Sequence, residues 1–355
     1  FKDLGKLQDA ELSYRKAIEV KPDFAETHYN LGVVLNELGK LQDAELSTRK
    51  AIEINPDFAE AHSNLGALLK DLGQLKEAEL SLFKAINLNP YISSAHYNLG
   101  TTLQDLGKLE EAELSTQKAI KINPDYAKAY FSLSTFPYSN KNKIWKDQLF
   151  SKNILNNKLP IDKVDIYFAR ANILHKEKKY ENSSKFLQLA NNLKLDLNPS
   201  KPDALINKSK KLLIESYKKE INEKEQANYP QSIFIVGMPR SGSTLLESIL
   251  SMNTNVDALG ETMILYESFL DYKKSNQIVN LTERYWEKTK VLKEQCNIAT
   301  NKNLYNYQFA GIIAKKIHNA KIFHCYRNPL DNILSIYRTH FTGGNEYSSS
   351  LVDCA

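Results

Sequence analysis

Apolar and small residues recur at helical spacing through the first third of the chain, and the helices they mark repeat every 34 residues. A Leu-Gly pair falls at Gly5, Gly39, Gly73 and Gly107, and a proline at Pro22, Pro56, Pro90 and Pro124. Between them the alanine pairs Ala10/Ala17, Ala44/Ala51, Ala78/Ala85 and Ala112/Ala119 keep one spacing, and Asn-Leu-Gly returns at 30–32, 64–66 and 98–100. Small side chains at these positions let two helices of a pair approach closely, and proline stops the second helix. Full repeats are predicted over 25–58, 59–92 and 93–126. Residues 1–24 read as the tail of a repeat that has lost its first helix, so an array that once extended further is expected.

Past Tyr126 the pattern thins. Tyr130 and Leu133 continue it, Pro137 and an Asn/Lys-rich stretch interrupt it, and a degenerate repeat returns with Tyr167, Ala171, Leu174, Tyr180, Ser183, Leu187 and Ala190. Asn198-Pro-Ser-Lys-Pro202 predicts a break and 203–225 a charged helix. The period then changes. Ile233 to Val236 is a short apolar run rich in β-branched residues, as in a buried strand, and from Ser243 apolar residues take helical spacing at Leu245, Leu246, Ile249 and Leu250. A short apolar piece follows at 256–259, a helix is predicted over 282–296, a short strand over 296–300, an amphipathic helix over 303–319 and a further buried strand over 321–326.

The first strand and helix enclose Gly237-Met-Pro-Arg-Ser-Gly-Ser-Thr244, which fits the phosphate-loop pattern G-x-x-x-x-G-K-[ST] except that Ser243 stands where the lysine belongs. Strand, glycine turn and helix point backbone N–H groups and a helix N-terminus at an anion. The missing lysine argues against a triphosphate. The loop's cation is Arg240, whose planar guanidinium suits a terminal sulfate or phosphate.

The repeats have the tetratricopeptide pattern, and the segment from Phe234 to Leu245 resembles the 5′-phosphosulfate loop of P-loop sulfotransferases, in particular tyrosylprotein sulfotransferases and bacterial sulfotransferases fused to tetratricopeptide repeats. The usual family loop reads P-R-S-G-T-T, so Ser243 keeps the hydroxyl of a threonine. The resemblance implies 3′-phosphoadenosine 5′-phosphosulfate (PAPS) as donor, held by Arg240, Ser241, Gly242, Ser243 and Thr244. Gly260-Glu261 is similar to the family's Gly-Glu and implies Glu261 as the base that takes the acceptor's proton; a surface glutamate capping a helix is the alternative. Asn301-Lys302-Asn303 stands where relatives read T-D-K-M-P or N-K-D-P, which implies Lys302 as the charge facing the leaving phosphate oxygen. Arg327-Asn-Pro-Leu-Asp-Asn-Ile-Leu-Ser335 is similar to the 3′-phosphate segment, with Arg327 and Ser335 as its ligands and Arg338 nearby. The segment 341–347 still matches before the sequence stops, where relatives continue, so a sulfotransferase domain incomplete at its C-terminus is expected.

Two periodic features of the array have competing readings. His28, His62 and His96 are a helix pair apart, roughly 10 Å, so they cannot share one metal ion and are read as packing residues. Asn30, Asn64 and Asn98 sit on the first helix of each pair, resembling the asparagine ladder of O-GlcNAc transferase repeats. They either bind an extended peptide backbone or bridge neighbouring repeats.

Composition adds limits. Hydrophobic content of 42% and charged content of 25% over 355 residues suit a soluble two-domain protein. No apolar run nears the ~20 residues of a spanning helix. The net charge of +5 suits an anionic cofactor and gives no reason to expect nucleic acid. Cys296, Cys325 and Cys354 form no ligand-like pair, which points to free thiols and a cytoplasmic setting. The expected architecture is therefore an all-α tetratricopeptide solenoid (1–126), a degenerate repeat with linker helices (127–229), and a three-layer α/β P-loop domain with a parallel sheet (230–355). The expected activity is PAPS-dependent sulfuryl transfer to a hydroxyl, protein tyrosine among the acceptors, with no metal and with a protein or peptide partner in the repeat groove. The rivals are a repeat scaffold with a vestigial catalytic half and a P-loop kinase using ATP.

Overall fold

The computed structural model describes residues 6–136, 144–217, 229–275, 280–290, 297–341 and 345–354, and the chain divides into two compact units, Phe1–Leu193 and Lys194–Ala355. Gly5, the interruption at Pro137, residues 218–225 of the charged helix, Cys296 and Thr342 to Gly344 lie outside the described residues.

In the first unit the helices Leu7–Val20, Ala25–Glu37, Leu41–Ile54, Ala59–Asp71, Leu75–Leu88, Ser93–Asp105, Leu109–Ile122 and Ala127–Thr135 follow the 34-residue period. The first helix of each pair ends the same way. Gly39, Gly73 and Gly107 take the left-handed conformation at φ +75°, +78° and +78°. The glycine N–H and the N–H after it then reach back to the last carbonyls, as in Gly73 to Lys70 at 2.9 Å and Gln74 to Leu69 at 2.8 Å. This arrangement satisfies carbonyls that the helix end would otherwise leave orphaned, and glycine adopts it without a Cβ penalty. The alanine pairs at 44/51, 78/85 and 112/119 are fully buried. The glycine of Asn-Leu-Gly marks the crossing point within each pair. A Cβ on Gly32 would lie 2.4 Å from Thr48 Oγ1, and one on Gly100 2.2 Å from Thr116 Oγ1.

The periodic histidines tie neighbouring turns together. The Nε2–H groups of His28, His62 and His96 donate to the carbonyls of Pro22, Pro56 and Pro90 at 2.8, 2.9 and 3.0 Å. One period on, Tyr130 replaces histidine and its hydroxyl donates to the Pro124 carbonyl at 3.0 Å. Burial, with Asp125 adding to it, pushes that phenol up to about 12. Asn64 donates to Thr48 Oγ1 of the preceding helix at 3.3 Å, whereas the half-buried amides of Asn30 and Asn98 have no such partner among the described residues. The degenerate repeat forms helices Pro160–Lys176 and Tyr180–Leu197. Its turn keeps the same hydrogen bonds, Lys178 to His175 and Lys179 to Leu174 at 2.9 Å each, but with Lys178 at φ 60° in the glycine position.

The second unit is built on a parallel sheet of four strands in the order β2-β3-β1-β4. The strands are β1 (Gln231–Gly237), β2 (Val256–Ala258), β3 (Ile298–Asn301) and β4 (Ala320–Cys325). Central β1 is buried along nearly its whole length. Phe234 and Ala299 join an apolar cluster with Leu265, Tyr285, Phe309 and Ile313 from the covering helices. Two expectations need correction. The stretch 321–326 forms a strand but not a buried one. Among the described residues β4 pairs only with β1, and Ile322 and Phe323 remain 36% and 44% exposed. Residues 303–319 are not one helix: a 3-10 helix, Leu304–Phe309, precedes a short α-helix, Ala310–Lys316. Asn303 starts the first by accepting from the Tyr305 N–H at 3.0 Å, and its aromatic residues at 305, 307 and 309 alternate rather than follow a helical stripe. Among the described residues no helix is long and apolar enough to cross a membrane.

A non-glycine residue in the left-handed region carries strain of about 1 kcal/mol, so Lys178→Gly should raise the first unit's urea midpoint while Gly73→Ala lowers it. Circular dichroism of both variants checks the sign, which is opposite for the two substitutions.

Candidate functional site

The loop after β1 depends on a close backbone approach. Gly237 takes φ +151°, and a Cβ there would lie 2.5 Å from the Cys325 carbonyl at the end of β4. Any side chain would push the two strand ends apart. The loop then turns through Met238 and Pro239 to Arg240, a non-glycine residue at φ 67°, and enters helix Ser243–Leu250 through Gly242 at φ 98°. Left-handed backbone at Arg240 persists only if its surroundings hold it. Three contacts from the segment after β4 do so. Asn332 Nδ2 donates to the Pro239 carbonyl at 2.8 Å, Arg327 Nη1 to the Arg240 carbonyl at 3.4 Å, and Arg240 Nε to Ser335 Oγ at 3.3 Å.

The helix N-terminus beneath the loop has no side-chain cap. Its first N–H groups are therefore left for a ligand or water. The Ser241 hydroxyl is buried with no hydrogen-bond partner among the described residues. An orphaned buried hydroxyl beside uncapped amides and two guanidinium groups fits an incoming oxyanion.

Lys302 closes the other side. Its Nζ donates to Glu261 Oε1 at 2.6 Å and to Thr244 Oγ1 at 3.3 Å. The Lys302 side chain is 7% exposed, whereas that of Glu261 is 64% exposed and open to the cleft. Lys302 is therefore not the solvated surface charge it would be by default, and Glu261 caps no helix start in this arrangement. Arg240, Ser241, Gly242, Ser243, Thr244, Glu261 and Arg327 line one cleft of about 1080 Å³. Lys302 and Ser335 bond directly to residues of that lining.

The neighbours of the motifs are structural. Asn328 caps helix Pro329–Tyr337 by accepting from the Asp331 N–H at 3.2 Å. Asn301, 1% exposed, accepts from Asn303 N and Asn306 Nδ2 at 3.2 and 2.8 Å and so holds the chain around Lys302. The far wall of the cleft is aromatic. Tyr305 and Tyr347 both donate to Asn345 Oδ1 at 3.2 Å. Burial is the main cause that raises both phenols above their ordinary range, which keeps them neutral donors. Among the described residues no three His, Cys, Asp or Glu side chains gather as metal ligands.

Glu247 is a site residue that periodicity hid. It lies among the leucines of helix Ser243–Leu250, yet it is buried while Leu245 is 66% exposed. Its Oε1 accepts from Thr300 Oγ1 at 2.8 Å and from the Gly260 N–H at 3.2 Å. The phosphate-loop helix is thereby fastened to β3 and to the turn that carries Glu261. A glutamate at helical spacing between apolar neighbours was the available signal.

Comparison with known proteins bears on both units. A tetratricopeptide-repeat family matches residues 25–58 and 93–126, and related repeat families match 1–39, 48–79 and 164–196. The sulfotransferase family matches residues 230–284, which include β1, the loop and Glu261. An uncharacterized protein of Aquifex aeolicus (strain VF5) is 29% identical over 129 residues, covering 31% of this chain; the match spans 17% of that relative's length. Among solved structures, a crystal structure of MamA is 25% identical, covering 50% of this chain and 92% of its own, with a TM-score of 0.36. MamA from Desulfovibrio magneticus RS-1 is 22% identical over 51% of this chain and 89% of its own, at 0.37. Pseudomonas aeruginosa PilF is 18% identical over 57% and 88%, at 0.44. The chain thus joins tetratricopeptide repeats to a segment with sulfotransferase-family sequence.

Truncating Glu247 leaves the Gly260 N–H without its acceptor and the Thr300 hydroxyl with only the Asp257 carbonyl at 3.5 Å, a loss of about 1–3 kcal/mol for the orphaned group. Glu247→Ala should lower the urea midpoint of the second unit clearly, and Glu247→Gln, which keeps a carbonyl acceptor, should lower it less. Equal midpoints for the wild type and Glu247→Ala would remove the brace.

Proposed function

We propose that this chain is a PAPS-dependent sulfotransferase whose acceptor is a hydroxyl of a polypeptide, tyrosine foremost. The observation that carries the reading is the oxyanion cradle: the orphaned Ser241 hydroxyl and the uncapped N-terminus of helix Ser243–Leu250, faced by Arg240 and Arg327. The loop has no lysine for a triphosphate, and its cations come from arginines suited to terminal oxyanions. The sulfotransferase-family match over 230–284 supports the same choice.

In this reading Ser241 to Thr244 and Arg240 hold the phosphosulfate end of the nucleotide, and Arg327 with Ser335 holds its 3′-phosphate. When bound, the nucleotide supplies an activated sulfuryl group on a phosphate leaving group. Glu261, exposed to the cleft as a carboxylate, takes the proton of the acceptor hydroxyl. Lys302 presents its ammonium beside Thr244, where fixed positive charge counters negative charge developing on a leaving oxygen. Burial keeps that ammonium from reorienting into water. The polypeptide acceptor is supported by the fused repeats and by the half-buried amides of Asn30 and Asn98, which offer a donor and an acceptor to a peptide backbone.

Titration calorimetry with adenosine 3′,5′-bisphosphate tests the cofactor. Arg240→Ala and Arg327→Ala should each weaken binding roughly ten- to a hundredfold, the effect of losing a charge-assisted hydrogen bond of ~1.5–3 kcal/mol. Unchanged affinity in both variants, or tighter binding of ATP with magnesium than of the bisphosphate, would sink the assignment.

Glu261→Gln should separate binding from chemistry. Bisphosphate affinity should hold, while sulfuryl transfer to a tyrosine peptide falls by about 10² to 10⁴, the usual contribution of a positioned base. A variant that keeps most of its turnover would remove Glu261 from the reaction.

A further inference from the structure

The cleft does not end at its aromatic wall. A groove of about 390 Å³ continues from it along helix Pro202–Ser216, and Leu205, Ile206 and Tyr307 line both spaces. Its floor is formed where this helix packs on the short helix Ala310–Lys316. Gly311 makes that approach possible, since a Cβ there would lie 2.8 Å from Ser216 Oγ and 3.2 Å from Ser216 Cβ. Beside this close contact large apolar groups line the groove. Ile206 is 50%, Leu213 52% and Tyr307 41% exposed. Scattered exposed apolar residues need no explanation, but a contiguous set that opens into a catalytic cleft is the usual form of a ligand subsite.

A chain of contacts joins the groove side of the cleft to the proposed base. Asn303 Nδ2 donates to the Thr262 carbonyl at 3.2 Å, one residue from Glu261, and its Oδ1 accepts from the Tyr305 N–H at 3.0 Å. Met263 and Tyr305 line the same cleft as Glu261 and Tyr307. The cleft and the groove differ in chemistry. The loops after β1 and β4 bring arginines and hydroxyls to the cleft, whereas mainly aromatic and aliphatic side chains line the groove.

Resting on the proposed transfer reaction, we infer that the groove is an acceptor subsite for one large apolar side chain of the polypeptide, flanking the residue that presents its hydroxyl to Glu261. The nucleotide's phosphates have no counterpart charge in the groove beyond Lys210, and in the proposed reading they are held by the loops after β1 and β4, so the groove is assigned to the acceptor. The fused repeats favour a polypeptide over a small amphiphile as the source of that group. Selection is then hydrophobic and positional: it reads one neighbour of the reacting residue and leaves the others free.

The test uses the full chain and peptides with one tyrosine in a glycine–serine background, in which a single leucine is walked through each flanking position. Binding is read by fluorescence anisotropy in the presence of adenosine 3′,5′-bisphosphate, and transfer is read in parallel with PAPS. One leucine position should tighten binding and lower KM by about tenfold, less than the full burial of a leucine would give because the groove is open on one side. Leu213→Glu and Ile206→Glu replace half-exposed side chains, so both variants should fold, and both should abolish that preference. An affinity independent of leucine position, or a preference that survives in both variants, would overturn the subsite. So would 4-octylphenol binding in the groove in preference to every peptide. Position-dependent binding without any sulfuryl transfer would retire the proposed reaction and leave the groove's occupant as inferred.

Discussion

The parallel pairing of β1 with β4 is the constraint on which the site depends. Their register runs to the end of both strands, Gly237 beside Cys325, so the two loops leave the sheet at one edge and at one height. Ligands of open α/β sheets sit at such carboxyl edges, where connections from neighbouring strands part. Here the approach is so close that only glycine fits at position 237. The left-handed backbone of Arg240 then becomes tenable because Asn332, Arg327 and Ser335 already stand within hydrogen-bonding reach. Neither the loop after β1 nor the segment after β4 is formed by its own sequence alone. Each holds the other in shape.

Much of this was legible in the chain because the signals were local. The 34-residue period places the helices of the array, since the turns at 39, 73 and 107 each carry a left-handed glycine and each helix pair its own close-packed small residue. The histidines were legible as packing residues, but not their bond to the proline carbonyls. That bond spans six residues through a turn, and Tyr130 shows that any ring with a polar tip serves. In the second unit the strand–loop–helix and the Arg327 to Ser335 segment were local as well, and the structure gathers them at one cleft.

What escaped the sequence was set by tertiary position. The run 321–326 has the composition of a buried strand, yet burial depends on neighbours, and β4 has one neighbour in the described sheet. Glu247 reads as the polar face of an amphipathic helix. It is instead the buried face, because Thr300 and Gly260 offer donors there, while Leu245 and Ile249 point outward. The Leu304–Phe309 turn escaped for a third reason: a side-chain cap from Asn303 decided its form against the helical spacing of the residues after it.

The shared ammonium of Lys302 has a thermodynamic consequence. One cation contacts both Glu261 and Thr244, so an anion arriving beside Thr244 and the carboxylate of Glu261 draw on the same charge. Linkage makes such competition mutual: whatever a loop ligand takes from the Glu261 contact, the Glu261 contact takes equally from that ligand's affinity. Loading the loop therefore slackens the hold on the carboxylate, and an empty loop leaves the carboxylate clasped. The turn that carries Glu261 and the loop that carries Thr244 are thereby tied to each other through a single side chain.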